Sequence, residues 1–480
     1  MKYLSKIDKM FAAYNHMIAI SFNGQVYDWG NNQEGQLGIG SSGNNQDVPR
    51  RVLAGEAATA VNASEAGRYH EACAANGSFA AGNYLRNIGS AGYGRYNSAF
   101  ITKDTGLTFL TGKNNIGQLA NSSTAAAVDT PIRLRAGNMI KKDLYNRAFS
   151  PEDTFEAVGG VAYARRMKKA AFGNEHMVVL TVHNAPFVSG SNAQRQLGLV
   201  GGDDPETGES SAIAASTSHL RVMAVGQAGT YSGDNVSLLS FTGNPSVVPY
   251  HQAVSTGIKD IATAPQATAL LTNGGHVLVA GNVNTYGQNG VNTSASNYNN
   301  NYLCYVQAGE AATDGSPNWQ TIYARINGGS QKIINKVIQF GAFTGECFTM
   351  MTLDGCLYSI GRSNGTTAYL GRAGVAQTAS PVRVSAGAAA GDPDDFETVG
   401  ANDYFRSPGS KLTASGNNLV IRPPCSTTTP SARWRVPRCS ARTYTTRYAT
   451  CSSPRSATWS SSAPTSTNPG PMSRRERLWA

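Results

Sequence analysis

The sequence predicts an all-β fold assembled from repeated four-stranded blades, and three observations carry that expectation. Glycine is abundant, at 52 of 480 residues, while charged residues make up only 15%. That balance suits short strands joined by tight turns and fits poorly with helical bundles, which need Leu, Glu and Lys. A hairpin pattern recurs five times along the chain. In every copy a turn residue and a later glycine stand six positions apart.

The first copy runs from Met17 to Gly38. An apolar alternation leads into Asn23-Gly24, and alternation resumes to Trp29 and Gly30. Asn-Gly is a favoured hairpin turn because a type I′ turn needs positive φ at both central residues. The second copy carries Gly106 and Gly112, and the third Asn184 and Gly190. The fourth carries Gly275 and Gly281, and the fifth Gly355 and Gly361. The glycines at 24, 30, 106, 112, 190, 275, 281, 355 and 361 are therefore candidate structural positions of the repeat. A hairpin this small cannot bury its own apolar face, so the units must pack on one another. After several copies a Pro-x-x-Val strand follows, as Pro49 to Val52, Pro131 to Leu134 (Leu for Val) and Pro381 to Val384. Proline opens an edge strand well because it lacks a ladder donor. Strand, hairpin, glycine turn and edge strand together make one four-stranded blade.

These residues resemble the repeat of the regulator of chromosome condensation family, roughly A-G-x-x-H, then A-L-T-x-D-G-x-V-y-x-W-G-x-N-x-x-G-Q-L-G, then P-x-x-V. The upstream element survives as Ala13-Tyr14-Asn15-His16 and Gly173-Asn174-Glu175-His176, each histidine eight residues before its turn position. Copy one is near a full match, whereas Trp29 becomes Thr111, Ser189, Ala280 and Ile360 in the others. The resemblance covers about residues 10–421 discontinuously. It implies a β-propeller, commonly of seven blades, divergent here and bacterial- or phage-like in composition. Five clear repeats and a broken sixth lead to an expectation of six or seven blades, with the ring incomplete in one reading.

The turn positions advance by 82, 78, 91 and 80 residues, which exceeds the roughly fifty-residue blade that the resemblance implies. Long insertions are favoured over hidden blades, with residues 66–77 left undecided between the two. Insertions in a repeat protein map to one face, often the binding face. A sixth copy is expected from about Val399, with Gly416 as its turn residue. The pattern then demands glycine at 422, where the chain has Arg422 followed by Pro423-Pro424. The domain reading is a propeller over 1–421 and a Ser/Thr/Arg/Pro-rich tail over 422–480. The tail is read as a disordered basic arm or, preferentially, as translation in a shifted frame.

Charge follows the same division. The net charge is +10, from 40 basic and 30 acidic residues. Ten of those basic residues and one acidic residue lie in 421–480, which leaves 30 against 29 in the body. Nucleic acid is therefore disfavoured as a partner of the body, and the basic tail is its one weak candidate contact. The seven cysteines show no C-x-x-C spacing, so neither zinc nor a disulfide framework is indicated. No run of eighteen apolar residues predicts a membrane span, and the N-terminal residues lack the apolar core of a signal peptide. The expected location is cytoplasmic or virion-associated.

No nucleotide loop, metal-ligand pair or nucleophile elbow stands out, so no catalytic residue, cofactor or metal is assigned. The repeat histidines are read as making blade-to-blade hydrogen bonds. Asp203 to Glu209 lacks the alternating ligand spacing of a calcium loop and is read as solvated. Arg165 to Lys169 is read as a solvated blade edge, with phosphate contact as the lesser alternative. Tyr286, Tyr298 and Tyr302 sit among small polar residues, a composition used by recognition loops, and are the candidate binding residues. The expected function is a non-enzymatic scaffold that recognises a protein partner through one face and its inserted loops. The alternatives are a phage virion or cell-surface structural or receptor-binding protein, and a guanine-nucleotide exchange regulator of a small GTPase.

Overall fold

A computed structural model describes residues 3–59, 65–75, 80–140, 152–198, 202–203, 210–211, 216–222, 257–281, 286–291, 300–324, 329–363, 370–372, 374–386, 396–399, 402–405, 411–415 and 418–422. Strands dominate, and five antiparallel four-stranded sheets form the blades of a β-propeller. Blade 1 comprises β1 (Ile7–Ala12), β2 (His16–Ser21), β3 (Val26–Gly30) and β4 (Gln46–Arg51) in that order. A hairpin of β5 (His70–Cys73) and β6 (Gly82–Leu85) follows. Blade 2 is β7 (Ile88–Tyr93), β8 (Asn97–Thr102), β9 (Thr108–Lys113) and β10 (Ala127–Arg133), followed by the hairpin β11 (Phe155–Val158) and β12 (Val161–Ala164). Blade 3 uses β13 (Met167–Phe172), β14 (His176–Thr181) and β15 (Pro186–Ser191). Its fourth strand comes after a short pair, β16 (Gly202–Asp203) and β17 (Ser210–Ser211), as β18 (Ser216–Val222).

Blade 4 is β19 (Ile258–Ala264), β20 (Ala267–Thr272), β21 (Val277–Gly281) and β22 (Asn300–Tyr305), with the hairpin β23 (Trp319–Ala324) and β24 (Gly329–Ile334) after it. Blade 5 is β25 (Val337–Phe343), β26 (Cys347–Thr352), β27 (Leu357–Arg362) and β28 (Gln377–Arg383). The hairpin β29 (Phe396–Val399) and β30 (Asn402–Phe405) and the pair β31 (Lys411–Ser415) and β32 (Asn418–Arg422) complete the described elements.

The long repeat period now has a physical explanation. Each of blades 1, 2, 4 and 5 is followed by a two-stranded hairpin before the next blade begins. The undecided stretch 66–77 contributes β5 to the first of these, so it belongs to an inserted hairpin and not to a decayed blade. A second recurrent device precedes the hairpin. Ala54-Gly55, Ala136-Gly137 and Ala308-Gly309 each open a short 3-10 turn directly after the fourth strand. Those glycines hold φ of +53°, +50° and +54°. A Cβ at Gly55 would lie 2.0 Å from the Pro131 carbonyl oxygen, and one at Gly309 would lie 2.1 Å from that of Pro381. The turn therefore rests on the Pro-x-x-Val strand of the following blade.

The core lies between the blades. One cluster joins Ile18, Ile20 and Val26 of blade 1 to Phe100 and Phe109 of blade 2. Further clusters join blades 2 and 3, 3 and 4, and 4 and 5 in the same way. Removing a fully buried Phe such as Phe100 costs about 3–5 kcal/mol. Buried ion pairs accompany the apolar seams. Arg133 of blade 2 pairs with Glu65 at 2.8 Å, and its amide donates to Glu56 of the preceding turn at 2.7 Å. In blade 5, Arg383 faces Asp314 at 3.6 Å and its amide donates to Glu310 at 2.9 Å.

The first strand of each blade packs against the first and second strands of the blade before it, from β7 on β1 and β2 through β25 on β19 and β20. β31 packs on β25 and β26 in the same manner. β31 thus takes the place of a first strand in a sixth blade, and β32 that of a second. The register expected from sequence, with Gly416 as the turn between second and third strands, is one strand too late. No glycine is demanded at 422, and Arg422 ends β32.

Candidate binding face

The repeat glycines make two kinds of close approach. Gly24, Gly106 and Gly275 have φ of +76°, +63° and +80°, and Asn184 fills the same place at +66°. Each carbonyl at these turns accepts the amide of the residue that starts the next blade: Ile88 to Gly24, Met167 to Gly106, Ile258 to Asn184 and Val337 to Gly275, at 3.0 to 3.1 Å. A Cβ at Gly106 would stand 2.6 Å from the Met167 nitrogen. The second glycine, six positions on, serves its own blade. At Gly112 a Cβ would meet the Tyr96 carbonyl at 2.0 Å, and at Gly361 the Glu346 carbonyl at 2.1 Å. The constant spacing therefore marks the two ends of the third strand, one held by the next blade and one by the turn before the second strand.

A second bond at each turn closes a belt. Within each blade the residue following the second strand donates its amide to the residue preceding the first: Phe22 to Lys6, Lys103 to Asn87, Val182 to Arg166, Asn273 to Gly257 and Leu353 to Lys336. Beside the belt the first strand of each of blades 1 to 5 carries a bulge at its second residue, from Ile7/Lys9 to Val337/Gln339. Lysines use that geometry to reach across. Lys103 donates to the Phe22 carbonyl at 2.8 Å, Lys9 to that of Gly89, and Lys168 to that of Lys259 at 3.0 Å.

This turn face is cationic. Lys6, Lys9, Lys103, Arg166, Lys168, Lys259 and Lys336 are exposed, against exposed Asp8, Asp104 and Asp153. Burial alone would raise the Asp104 carboxyl pKa, but hydrogen bonds from the Asn87 amide and the Thr105 N–H, with Arg68 beside it, outweigh that and hold it below the usual range. Three large apolar side chains of the belt face water as well, Phe22 at 64%, Val182 at 44% and Leu353 at 69% exposure. A cavity of about 250 Å³ opens between the blade 2 turn and the start of blade 3, lined by Thr102 to Gly106, Arg165 to Met167, and Val182. That volume falls short of the ~300–1,000 Å³ of small-molecule sites and suits a single side chain.

The inserted hairpins border the same face. Arg68 and Tyr69 contact Asp104 and Thr105, the second pair hydroxyl to hydroxyl at 2.9 Å. Asp153, ahead of β11, pairs with Arg166 at 2.9 Å and with His183 at 3.0 Å. Asn318 donates to both Asp354 carboxylate oxygens at 3.1 and 2.9 Å. Each insertion is thereby pinned to the turn of the following blade.

The repeat histidines are structural. His16 Nε2 lies 2.9 Å from Ser98 Oγ in blade 2, and His176 Nε2 lies 3.1 Å from Thr268 Oγ1 in blade 4. Thr268 gives its own proton to the Gln196 carbonyl at 2.7 Å, so His176 must donate from Nε2. Burial lowers both imidazole pKa values to about 4. Thr111 and Ser189, at the degenerate tryptophan position, bond the preceding blade's Gln36 and Gln118 carbonyls at 2.9 Å. Where that position is Ala280, Thr268 on the paired strand supplies the hydroxyl instead.

Of the candidate tyrosines, Tyr286 lies in the Gln-containing turn after β21. Its hydroxyl accepts from Arg362 of blade 5 at 2.7 Å, with that guanidinium 4.3 Å from its ring centroid. Tyr302 is in β22 with its side chain outside the described residues, and Tyr298 lies wholly outside them. Of Asp203 to Glu209, only Asp203, in β16, is described. Among the described residues no group of three or more His, Cys, Asp or Glu side chains could hold a metal ion. None of their helices is long and apolar enough to cross a membrane. Of the residues that precede the first strands, sequence reading singled out only Arg166, although each precedes its turn residue by 18 or 19 positions.

Residues 23–74, from the blade 1 turn through β5, match the family described as Regulator of chromosome condensation (RCC1) repeat. That stretch carries an RCC1-type repeat. Probable E3 ubiquitin-protein ligase HERC6 of Homo sapiens is 26% identical over 193 residues, which is 40% of this chain but only 14% of HERC6. Among solved structures, human WBSCR16 aligns at a TM-score of 0.46 and 15% identity, over 85% of this chain and 69% of that one. Prp20p of Saccharomyces cerevisiae aligns at 0.38 and 14%, over 86% and 81%.

Proposed function

We propose that this chain is a non-enzymatic protein-binding propeller that recognises its partner through the turn face and the hairpins around it. One observation carries the reading. The belt gathers onto one face the exposed apolar side chains Phe22, Val182 and Leu353, a ring of cations, and three inserted hairpins pinned beside them. Apolar anchors inside a polar rim are the anatomy of a protein interface. The solved structure of Prp20p is described with its binding to Gsp1p and histones, and that relative lends the reading a precedent without naming a partner here. Tyr286, engaged with Arg362, serves in this proposal to hold blades 4 and 5 together on other turns of the repeat.

Affinity capture with the full chain tests the proposal. Wild type and a Phe22→Ser, Leu353→Ser variant are used as baits, and captured proteins are quantified by mass spectrometry. A stoichiometric partner that is depleted at least tenfold by the variant supports the turn face. A partner retained equally by both baits removes it. Catalysed nucleotide release from a captured GTPase would instead favour the exchange-regulator reading.

A further inference from the structure

We propose that the segment recognised by the turn face is acidic and apolar, a stretch in which Asp or Glu alternates with large apolar side chains. The inference rests on the protein-binding reading and adds the chemistry of the partner. In three of the five blades the belt hydrogen bond joins a cation to an exposed apolar residue. The pairs are Lys6 with Phe22, Arg166 with Val182 and Lys336 with Leu353, in blades 1, 3 and 5. Blades 2 and 4 carry no large apolar residue at the same place, where Asn87 is joined to Lys103 and Gly257 to Asn273. Cation and apolar group therefore stand side by side, on alternate blades, at fixed backbone positions.

A ligand that satisfies such a surface must offer negative charge and apolar bulk in the same short repeat. An acidic protein segment does this. A nucleic acid does so poorly, because phosphates call for a continuous cationic track and bases call for aromatic platforms. Two of the three apolar positions here are Val182 and Leu353, which give a base nothing to stack on. The body as a whole is almost neutral, with 30 basic against 29 acidic residues outside 421–480, so the excess of exposed cations on this face is a local asymmetry. Arg166 is already paired to Asp153 at 2.9 Å, which leaves Lys6 and Lys336 as the exposed belt cations best placed to meet carboxylates.

A dye-labelled twelve-residue peptide alternating Glu with Leu and Phe is titrated with the full chain in 50 mM salt and followed by fluorescence anisotropy. The Gln-for-Glu peptide, an all-Glu peptide, and single- and double-stranded oligonucleotides run beside it. Wild type is compared with Lys6→Glu, Lys336→Glu and with the milder Lys6→Gln, Lys336→Gln. All carry the same basic 422–480 region, whose contribution cancels. The proposal predicts that the alternating peptide binds wild type at least tenfold more tightly than either control peptide or either oligonucleotide. Charge reversal should weaken it at least tenfold, neutralisation should do so to a smaller extent, and about 300 mM salt should weaken it further, as exposed charges are screened. Equal affinity for the Gln peptide, tighter binding of an oligonucleotide, or indifference to both lysine variants overturns it. A cellular partner lost with Phe22→Ser, Leu353→Ser yet retained by both lysine variants would sink the acidic segment while leaving the protein-binding face intact.

Discussion

At the scale of single residues the fold is tuned by buried polar groups whose ionisation is suppressed. His16 and His176 are 2% and 0% exposed and titrate near about 4, so both are neutral in the fold. An imidazole whose folded pKa is depressed contributes stability that is intact above its unfolded value near 6.5 and lost as pH falls toward 4. Each should cost on the order of 3 kcal/mol across that window. Urea midpoints should therefore drop steeply from pH 6.5 to pH 4.5, and His16→Gln with His176→Gln should flatten that slope. An unchanged slope would show that neither imidazole is held neutral. Asp28 has the opposite sign. Burial pushes its pKa well above the usual carboxylate range, against the Trp29 amide and Ser98, which pull it down. Its stability contribution is present at low pH and is lost as pH rises toward the folded pKa. Asp28→Asn should thus raise the thermal midpoint more at pH 8 than at pH 4. Equal midpoints at both would refute the assignment.

At the scale of the element, the blade hairpin was legible and the rest of the repeat unit was not. Asn23-Gly24 and its counterparts announce themselves because positive φ selects a narrow set of residues, and the six-residue spacing reports the length of one strand. The inserted hairpins carry no such mark. β5, β11 and β23 share no turn motif, since each is fixed by tertiary contact with the next blade's turn, as Arg68 is with Asp104. The Ala-Gly pairs at 54, 136 and 308 were a readable signal that went unused. The belt cations were unreadable as a set because the strand that follows each one has no constant residue. Gly106 gives the element its sharpest test. Gly106→Ala must place a side chain in the left-handed region, at about 1–2 kcal/mol, and against the Met167 backbone, which adds to that cost. Chemical denaturation should show a loss of more than 1 kcal/mol. Alanine at exposed Gly43, which has φ of +89° but nothing near its Cβ, should lose only the backbone part.

At the scale of the whole molecule, five complete blades and the opening strands of a sixth follow one rule, each first strand packing on two strands of its predecessor. Moving the sixth unit by one strand removes the missing glycine at 422 as a sign of interruption. The proposed boundary between 1–421 and 422–480 now rests on the change in composition, with residues 423–480 outside the described part. Reading the gene in its other frames beyond codon 421 tests that boundary. A shifted frame that yields a third strand followed by a Pro-x-x-Val element would identify 422–480 as foreign to the fold, and frames without one would retain it as a basic arm. The central claim concerns which face of the propeller binds. Hydrogen exchange on the full chain, alone and with its captured partner, measures that directly. Protection should concentrate at residues 22–25, 103–106, 182–185, 273–276 and 353–356 and in the adjoining hairpins. Protection confined to the opposite turns, at residues 31–38, 114–119 and 192–197, would contradict it.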